Sequence, residues 1–296
     1  MYATSKPPFY IDEWWREQLG EIEVGQINNC NLFLLTFAED PAKTVQDLNN
    51  HLNSYYFSLL LEGVAYSRRG IVLGGDNTRA GLRVSSIGWL PDFYVPYAVV
   101  PAEATKEHFE YTSQLVTGID RIFGPASNDE YLRLRKGFNS LLNGIKQSEV
   151  HNRLHQSVRA IEGVIKPKQG DGTRKFKYRC QFFIGRKPKD IELLEELYEL
   201  RSAAEHLNPM VNKLAAYPAR QRDVVKALRA FQSEILASFI YRKILSDPSL
   251  LTNFINDNAI DTLWAHKSAE LIKIWGKTVS LNVSKNRILP RLPEWN

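Results

Sequence analysis

The chain has 296 residues, of which 44% are hydrophobic and 24% charged, and its formal net charge is +5. This ordinary globular composition predicts roughly two domains with a sizeable core and excludes a disordered chain. Two cysteines without CxxC spacing, Cys30 and Cys180, argue against a disulfide framework and a cysteine-based zinc site. No apolar stretch approaches the about 20 residues of a membrane span, and no signal peptide is evident, so we expect a cytoplasmic protein with no membrane association.

The first hundred residues mix strand and helix signals. A short apolar run over 31–37 predicts a buried strand, and Asp40-Pro41 offers a helix start. Two strand-like pieces, 71–73 and 82–84, flank Gly74-Gly75-Asp76-Asn77, which predicts a hairpin turn. The aromatic residues of Trp14-Trp15 and of 89–97 are assigned to loops or, alternatively, to the core. This part of the chain is therefore predicted to be α+β.

Beyond Pro101 the pattern becomes helical. Apolar spacing and capping residues predict helices over 102–123, 128–147, 150–165, 173–184, 190–207, 220–245 and 248–276. The clearest boundary is the Gly124-Pro125 loop. The fold is thus predicted to be α+β, with a mixed module over residues 1–124 and an all-α helical bundle over residues 125–296.

Residues 166–189 carry nine basic side chains and a single acid, Asp171. A run of this kind can follow a phosphate backbone, and we assign Arg174, Lys175 and Lys177 to RNA contact. Aromatic side chains are interleaved with these bases and could stack on single-stranded RNA. Alternatively, they form the core face of a helix, which is the interpretation favoured for Phe182 and Phe183.

The ten residues 197–206 read Leu-Tyr-Glu-Leu-Arg-Ser-Ala-Ala-Glu-His and place Arg201 and His206 with four residues between them. Taken alone, Arg201 and Glu205 could form a surface ion pair worth about a few tenths of a kcal/mol. His206 would then be a polar residue of the last helical turn, where it suits the helix dipole.

Two further segments precede this one and change its interpretation. Residues 159–165 read Arg-Ala-Ile-Glu-Gly-Val-Ile, and residues 178–185 read Tyr-Arg-Cys-Gln-Phe-Phe-Ile-Gly. Their order and spacing resemble the Apea-like branch of the HEPN superfamily, in which an Ala-x-Glu helix, a helix ending in Gly and a Leu-Tyr-x-Leu-Arg-Ser-x-x-x-His helix follow each other. The resemblance covers residues 127–245. It departs from the family at Leu207, where Gly usually follows the His.

The resemblance implies an all-α HEPN domain whose relatives include many metal-independent RNases of toxin and antiviral systems. It also implies a homodimer with a composite site. Five residues of α-helix turn by about 140°, so Arg201 and His206 diverge on one helix, but two copies about a two-fold axis could bring both pairs to one groove.

The expected chemistry needs neither a metal nor a cofactor, because RNA supplies its own nucleophile, the 2′-OH. His206 can remove the 2′ proton or protonate the leaving 5′ oxygen, since the ordinary pKa of an imidazole is about 6.5. Arg201 can hold the phosphate through its planar guanidinium. The expected products carry a 2′,3′-cyclic phosphate and a 5′-OH.

Supporting roles are assigned to Glu162, Arg179, Tyr198 and Glu205. Glu162 either orients Arg201 or His206 or is an ordinary boundary carboxylate satisfied by Arg159 or Arg179. Arg179 has the same two interpretations, and Tyr198 is expected to belong chiefly to the core.

The helix over 150–165 contributes two further candidates. His155 and Arg159 are assigned to a polar helix face that lines the RNA groove. His151 and His155 have the i, i+4 spacing of metal ligands, but Asn152 stands where a metalloprotease helix has Glu, which disfavours a metal site.

The sequence therefore predicts an endoribonuclease that acts on RNA in a toxin or antiviral defence setting. The alternative is a non-catalytic HEPN-like scaffold that binds RNA or a protein partner. For residues 1–124 we consider a module that senses a ligand or partner and gates the groove, or a passive module that only covers part of the helical surface.

Overall fold

The computed structural model describes residues 2–6, 12–40, 42–66, 70–78, 81–95, 103–124, 129–167, 170–206 and 214–282. The predicted α+β fold is confirmed, because the described chain has two small antiparallel sheets and a helical bundle. It forms two compact units: Met1–Phe57 with Tyr66–Phe93, and Ser58–Ala65 with Tyr94–Asn296. The chain thus divides near residue 93, and the predicted boundary at Gly124 lies inside the second unit.

The first unit combines short helices with two antiparallel strand pairs. Its helices are α1 (Glu13–Leu19), α2 (Glu21–Asn29) and the part of α3 (Val45–Leu61) up to Phe57. Strand β1 (Tyr2–Thr4) pairs with β2 (Phe33–Leu35), and β3 (Ile71–Thr78) pairs with β4 (Gly81–Trp89). Its core cluster is Trp15, Leu19, Val24 and Ile27, against which Phe33, Ile71, Leu73 and Val84 pack.

The predicted turn at residues 74–77 is wrong, because these residues lie inside β3. A bulge between Gly74 and Gly75 keeps the strand paired, and Gly74 faces Ser86 across the ladder. A Cβ on Gly74 would lie 2.4 Å from the Ser86 hydroxyl oxygen and 2.9 Å from a methyl of Val45. The glycine therefore serves close packing within the strand and not a hairpin turn.

Two other predictions for this unit are corrected. The loop assignment of Trp14 and Trp15 is wrong, because both lie on α1, whose first turn is capped by the Asp12 carboxylate. Trp15 is buried, as the alternative assignment to the core predicts. Helix α3 begins at Val45 and not at Asp40-Pro41, because the Thr44 hydroxyl accepts from the Asp47 backbone N–H at 3.1 Å.

The second unit contains most of the helices. These are α4 (Lys106–Phe123), α5 (Leu132–Ile145), α6 (Val150–Ile165), α7 (Gly172–Ile184), α8 (Pro188–Glu205), α9 (Arg222–Ser246), α10 (Pro248–Thr252), α11 (Asp257–Ala265) and α12 (Ser268–Trp275). Helix α6 is central and packs against α5, α8 and α9. Helix α4 packs against α9, and the Tyr111 hydroxyl meets that of Ser246 at 3.0 Å. These contacts explain why α4 belongs to the bundle.

Glycines allow a close crossing of α5, α6 and α9. A Cβ on Gly163 would lie 3.0 Å from the Gly137 Cα and 3.3 Å from the Tyr241 hydroxyl oxygen. That hydroxyl donates to the Ala160 carbonyl at 3.0 Å, and burial raises the pKa of Tyr241. Two glycines thus let α5 and α6 approach closely around a fixed tyrosine.

A buried ion pair ties α6 to α9. The Arg153 Nε donates to the Glu234 carboxylate at 2.5 Å, and each side chain is 4% exposed. Arg153 also donates to the carbonyl of Tyr94 at 2.9 Å. Such a pair stabilises only when both partners are present, because either charge left alone in the core is costly.

The predicted single helix over 248–276 is wrong, because α10, α11 and α12 occupy this segment. The Asn256 side chain accepts from the Ala259 backbone N–H at 2.9 Å and starts α11. The short helices enclose an aromatic cluster in which Trp264 and Trp275 stack at 5.7 Å and Phe183 meets Trp275 edge-on at 4.6 Å. In the part of the chain described here, no helix is both long and apolar enough to cross a membrane.

Candidate functional site

Helices α6 and α8 bring together a group of polar side chains. Tyr198, Arg201 and Glu205 are spaced by three and four residues and so share one face of α8, while His155 and Glu162 are seven apart on α6. Glu162 interacts with Tyr198 and Arg201, and His155 interacts with Arg201 and Glu205. The two rows of side chains therefore run in opposite directions across the helix pair.

Arg201 is held from three directions. Its Nη2 donates to the Glu162 carboxylate at 2.7 Å, its Nη1 pairs with Glu205, and its guanidinium carbon lies 5.8 Å from the centre of the Tyr198 ring. The side chains of Arg201 and Glu162 are each 13% exposed, whereas that of Glu205 is 40% exposed. Glu162 is therefore the enclosed anchor of the guanidinium, and Glu205 is the partner that solvent or an anion can displace.

Burial and ion pairing oppose each other at Glu162. Burial raises the pKa of its carboxyl, while the charge of Arg201 and a hydrogen bond from the Tyr198 hydroxyl act to lower it. Burial, followed by the charge of Glu162, raises the pKa of Tyr198, so its hydroxyl stays protonated and can donate. Tyr198 thus holds Glu162, which in turn holds Arg201.

The sequence alone did not point to Gly172, the first residue of α7. A Cβ at this position would lie 2.1 Å from the Tyr198 hydroxyl oxygen. The absence of a side chain here makes room for that hydroxyl, while the Tyr198 ring packs on Phe176 at 5.1 Å. In the sequence, a glycine directly after Asp171 is typical of a helix boundary. Its role in packing against Tyr198 therefore could not be predicted from the sequence.

His155 lies beside Arg201 and is half-buried. Burial and then the charge of Arg201 lower the pKa of its imidazole, with Arg159 acting in the same direction. Glu205 and the Arg201 carbonyl act to raise it. Its Nδ1 is buried and, among the described residues, has no hydrogen-bond partner. Burial and the neighbouring guanidinium therefore favour the neutral form of the His155 imidazole.

His206 ends α8 and is exposed. Its backbone N–H donates to the Ser202 carbonyl at 3.1 Å, and its ring makes no hydrogen bond within the described parts of the chain. Arg201 points instead to Glu162 and Glu205, so one chain does not join its own Arg201 and His206 in a hydrogen-bonded pair. Leu207, where the sequence differs from the HEPN pattern that it otherwise resembles, lies outside the described residues.

Arg179 lies elsewhere in the bundle. Its guanidinium donates to the Ile165 carbonyl at the end of α6 and stacks 4.9 Å from the Trp264 ring. Burial lowers its pKa, and Asp261 opposes that effect. Glu162 is consequently satisfied by Arg201 and not by Arg179, while Arg159 is exposed on α6.

The basic residues of α7 are partly neutralised. Arg174 donates to both oxygens of Asp171 at 2.7 and 2.9 Å, and Lys177 pairs with Glu195 at 2.9 Å. Lys175 is partly exposed on the same helix. Core packing accounts for three of the aromatic residues, because Phe176, Phe182 and Phe183 are at most 4% exposed.

The histidine pair of α6 gives no support to the metal-site alternative. His151 lies 3.9 Å from the carboxylate of Glu149, whereas His155 faces α8. Within the described ranges, no three His, Cys, Asp or Glu side chains are grouped as metal ligands would be.

No protein-family model, no curated protein and no solved structure matches this chain. The assignment of a function therefore depends on the α6–α8 site and on the resemblance of residues 127–245 to HEPN domains.

Proposed function

We propose that the protein is a metal-independent endoribonuclease that uses Arg201 and His206 from two copies of the chain. The observation that carries this proposal is the enclosed Arg201, whose guanidinium is anchored by Glu162 while its second carboxylate partner, Glu205, is exposed. A guanidinium fixed in this way loses little freedom when it binds a phosphate. The resemblance to HEPN domains supports the same assignment.

In the proposed reaction, an RNA phosphate displaces Glu205 from Arg201, and Glu162 keeps the guanidinium in place. The 2′-OH attacks the phosphorus as a histidine base removes its proton, and the P–O5′ bond breaks as a proton reaches the leaving oxygen. His206 is the group assigned to proton transfer, and Arg201 offsets the charge that builds on the phosphoryl oxygens. The products carry a 2′,3′-cyclic phosphate and a 5′-OH.

The divergence of the two side chains supports a site composed from two copies of the chain. Because His206 makes no hydrogen bond to Arg201 of its own chain, a second copy would supply the partner histidine at a two-fold axis. We further propose that this homodimer acts in a toxin or antiviral defence setting in the cytoplasm.

The test compares Arg201→Lys and His206→Ala with two exposed controls, Arg121→Lys and His151→Ala. Both site variants should lose RNA cleavage by about 100-fold or more, since an ammonium cannot copy the planar guanidinium and the imidazole moves the proton. Both controls should cleave like the wild type. Cleavage is followed on a labelled RNA in EDTA, with the ends identified as cyclic phosphates, and full activity of either site variant contradicts the assignment.

A second candidate function is a non-catalytic scaffold that binds RNA or a protein partner. Both terminal nitrogens of Arg201 are engaged by carboxylates of its own chain, so the same guanidinium could serve only to join α6 to α8. A wild-type protein that binds RNA and produces no cyclic phosphate ends would favour this alternative.

A further inference from the structure

One face of α7 carries a row of arginine and aromatic side chains. Arg174, Tyr178 and Phe182 are spaced by four residues, and Arg186 follows four residues later, just beyond the helix end. The Arg186 guanidinium carbon lies 5.1 Å from the Phe182 ring centre, and Tyr178 meets Phe182 edge-on at 5.6 Å. We refer to these four residues as the α7 strip.

Tyr178 is the exposed aromatic residue of the α7 strip. It is 47% exposed, whereas Phe182 beneath it is 4% exposed. Its hydroxyl is within hydrogen-bond distance of the Ser268 hydroxyl, 3.2 Å away, so the ring is held both at its edge and at its tip. A ring that is already fixed gives up little conformational entropy when another flat group stacks on it.

Charge at both ends makes the α7 strip complementary to a nucleic acid strand. The Arg174 side chain is 84% exposed at one end, and Arg186 is exposed at the other. Asp171, next to the strip, pairs with the exposed Arg174, and a phosphate can compete with it there. Water screens an ion pair in such a position, which weakens it.

We propose that the α7 strip binds unpaired bases of single-stranded RNA. Tyr178 stacks on a base, and Arg174 and Arg186 contact the phosphates on either side of it. Stacking on an aromatic side chain tolerates any base, so the strip would select for an unpaired strand and not for a sequence. This inference rests on the proposed function for the choice of RNA, and it assigns substrate binding to residues separate from Arg201 and His206.

The experiment measures the affinity of the full-length protein for a labelled oligouridine of about 12 nucleotides and for a blunt RNA duplex of equal length. Tyr178→Ala and Tyr178→Leu should each weaken binding of the single strand by about fivefold or more, because both remove the stacking ring. Tyr178→Trp should keep the affinity within about twofold. The matched control is Phe123→Ala, which removes an aromatic side chain that is 40% exposed on α4.

The outcomes separate this inference from the proposed function. If Tyr178→Leu binds the single strand as tightly as Phe123→Ala does, or if the duplex binds as well as the single strand, the α7 strip is not the binding site. Tyr178-dependent binding without cleavage by the wild type supports the strip and contradicts the ribonuclease. Cleavage that is unaffected by Tyr178→Leu contradicts the strip alone, and a wild-type protein that binds no single-stranded RNA contradicts both.

Discussion

At the scale of single residues, the site is organised by unequal exposure. Arg201 has two carboxylate partners, of which the Glu162 side chain is enclosed and the Glu205 side chain is partly exposed. A carboxylate that solvent reaches is exchanged more easily than an enclosed one, whose removal leaves a charge without its partner. The same two neighbours can therefore anchor the guanidinium and leave one of its edges open to an anion.

The environment of His155 should make the stability of the protein depend on pH. Because burial and Arg201 lower its pKa, the unfolded chain binds the proton more readily than the folded chain does. Stability should therefore fall as the pH drops from the ordinary histidine value of about 6.5 towards the lowered pKa. His155→Gln should lose less Tm than the wild type between about pH 7.5 and about pH 5.

The control for this measurement is His151→Gln, which changes an exposed histidine on the same helix. When all three proteins are melted in a calorimeter over this pH range, the Tm of His151→Gln should change with pH as that of the wild type does. An identical loss of Tm in His155→Gln and the wild type would show that His155 titrates alike in both states.

At the scale of helices, the crossing of α5, α6 and α9 is sensitive to one methyl group. Gly163→Ala places a Cβ 3.0 Å from the Gly137 Cα and 3.3 Å from the Tyr241 hydroxyl oxygen, so the helices must move apart. We expect a loss of about 1–3 kcal/mol in the free energy of unfolding, measured in urea.

The matched change is Gly25→Ala in α2, where a new Cβ has no neighbour within 4 Å. That substitution should stabilise its helix by about 0.5–1 kcal/mol, since alanine is the better helix former. The interpretation of the crossing fails if Gly163→Ala is as well tolerated as Gly25→Ala.

The helices with a clear apolar stripe could be predicted closely from the sequence. Helix α6 has its predicted bounds, and α7 begins one residue before the predicted Thr173. The three helices after α9 could not be predicted in this way, because α10–α12 share one continuous apolar pattern. They are separated by capping residues whose effect depends on local backbone geometry. The sequence predicts a turn in the middle of β3, because glycines needed for close packing cannot be told from glycines of a turn by sequence alone.

The candidate site was predictable only in part. The residue types and spacing indicate Arg201 and His206, with Glu162 in support, and leave the partner of Glu162 open among Arg201, His206, Arg159 and Arg179. Which arginine Glu162 meets depends on the rotation of α6 against α8, which one sequence does not specify. The roles of Gly172 and His155 depend on the same packing, because neither lies within 20 residues of Arg201 along the chain.

At the scale of the whole molecule, the proposed composite site predicts complementation between inactive proteins. Arg201→Lys and His206→Ala, mixed and allowed to exchange subunits, form dimers in which one copy supplies Arg201 and the other supplies His206. Random exchange makes about half of the dimers mixed, each with one complete site of two, so activity should recover to about a quarter of the wild type. Activity no higher than that of the separate variants would argue against a site shared in this way.

The placement of the tryptophans gives the two compact units different optical properties. In the first unit, Trp14 and Trp89 are 39% and 49% exposed, so their intrinsic emission is expected at the long wavelengths of hydrated indole. In the second unit, Trp264 and Trp275 are at most 7% exposed and stacked, which favours short-wavelength emission and coupled near-ultraviolet dichroism. Trp15 of the first unit is also buried. With Trp15 and Trp295, which lies outside the described residues, both replaced by Phe, the emission wavelength would report separately on the melting of each unit.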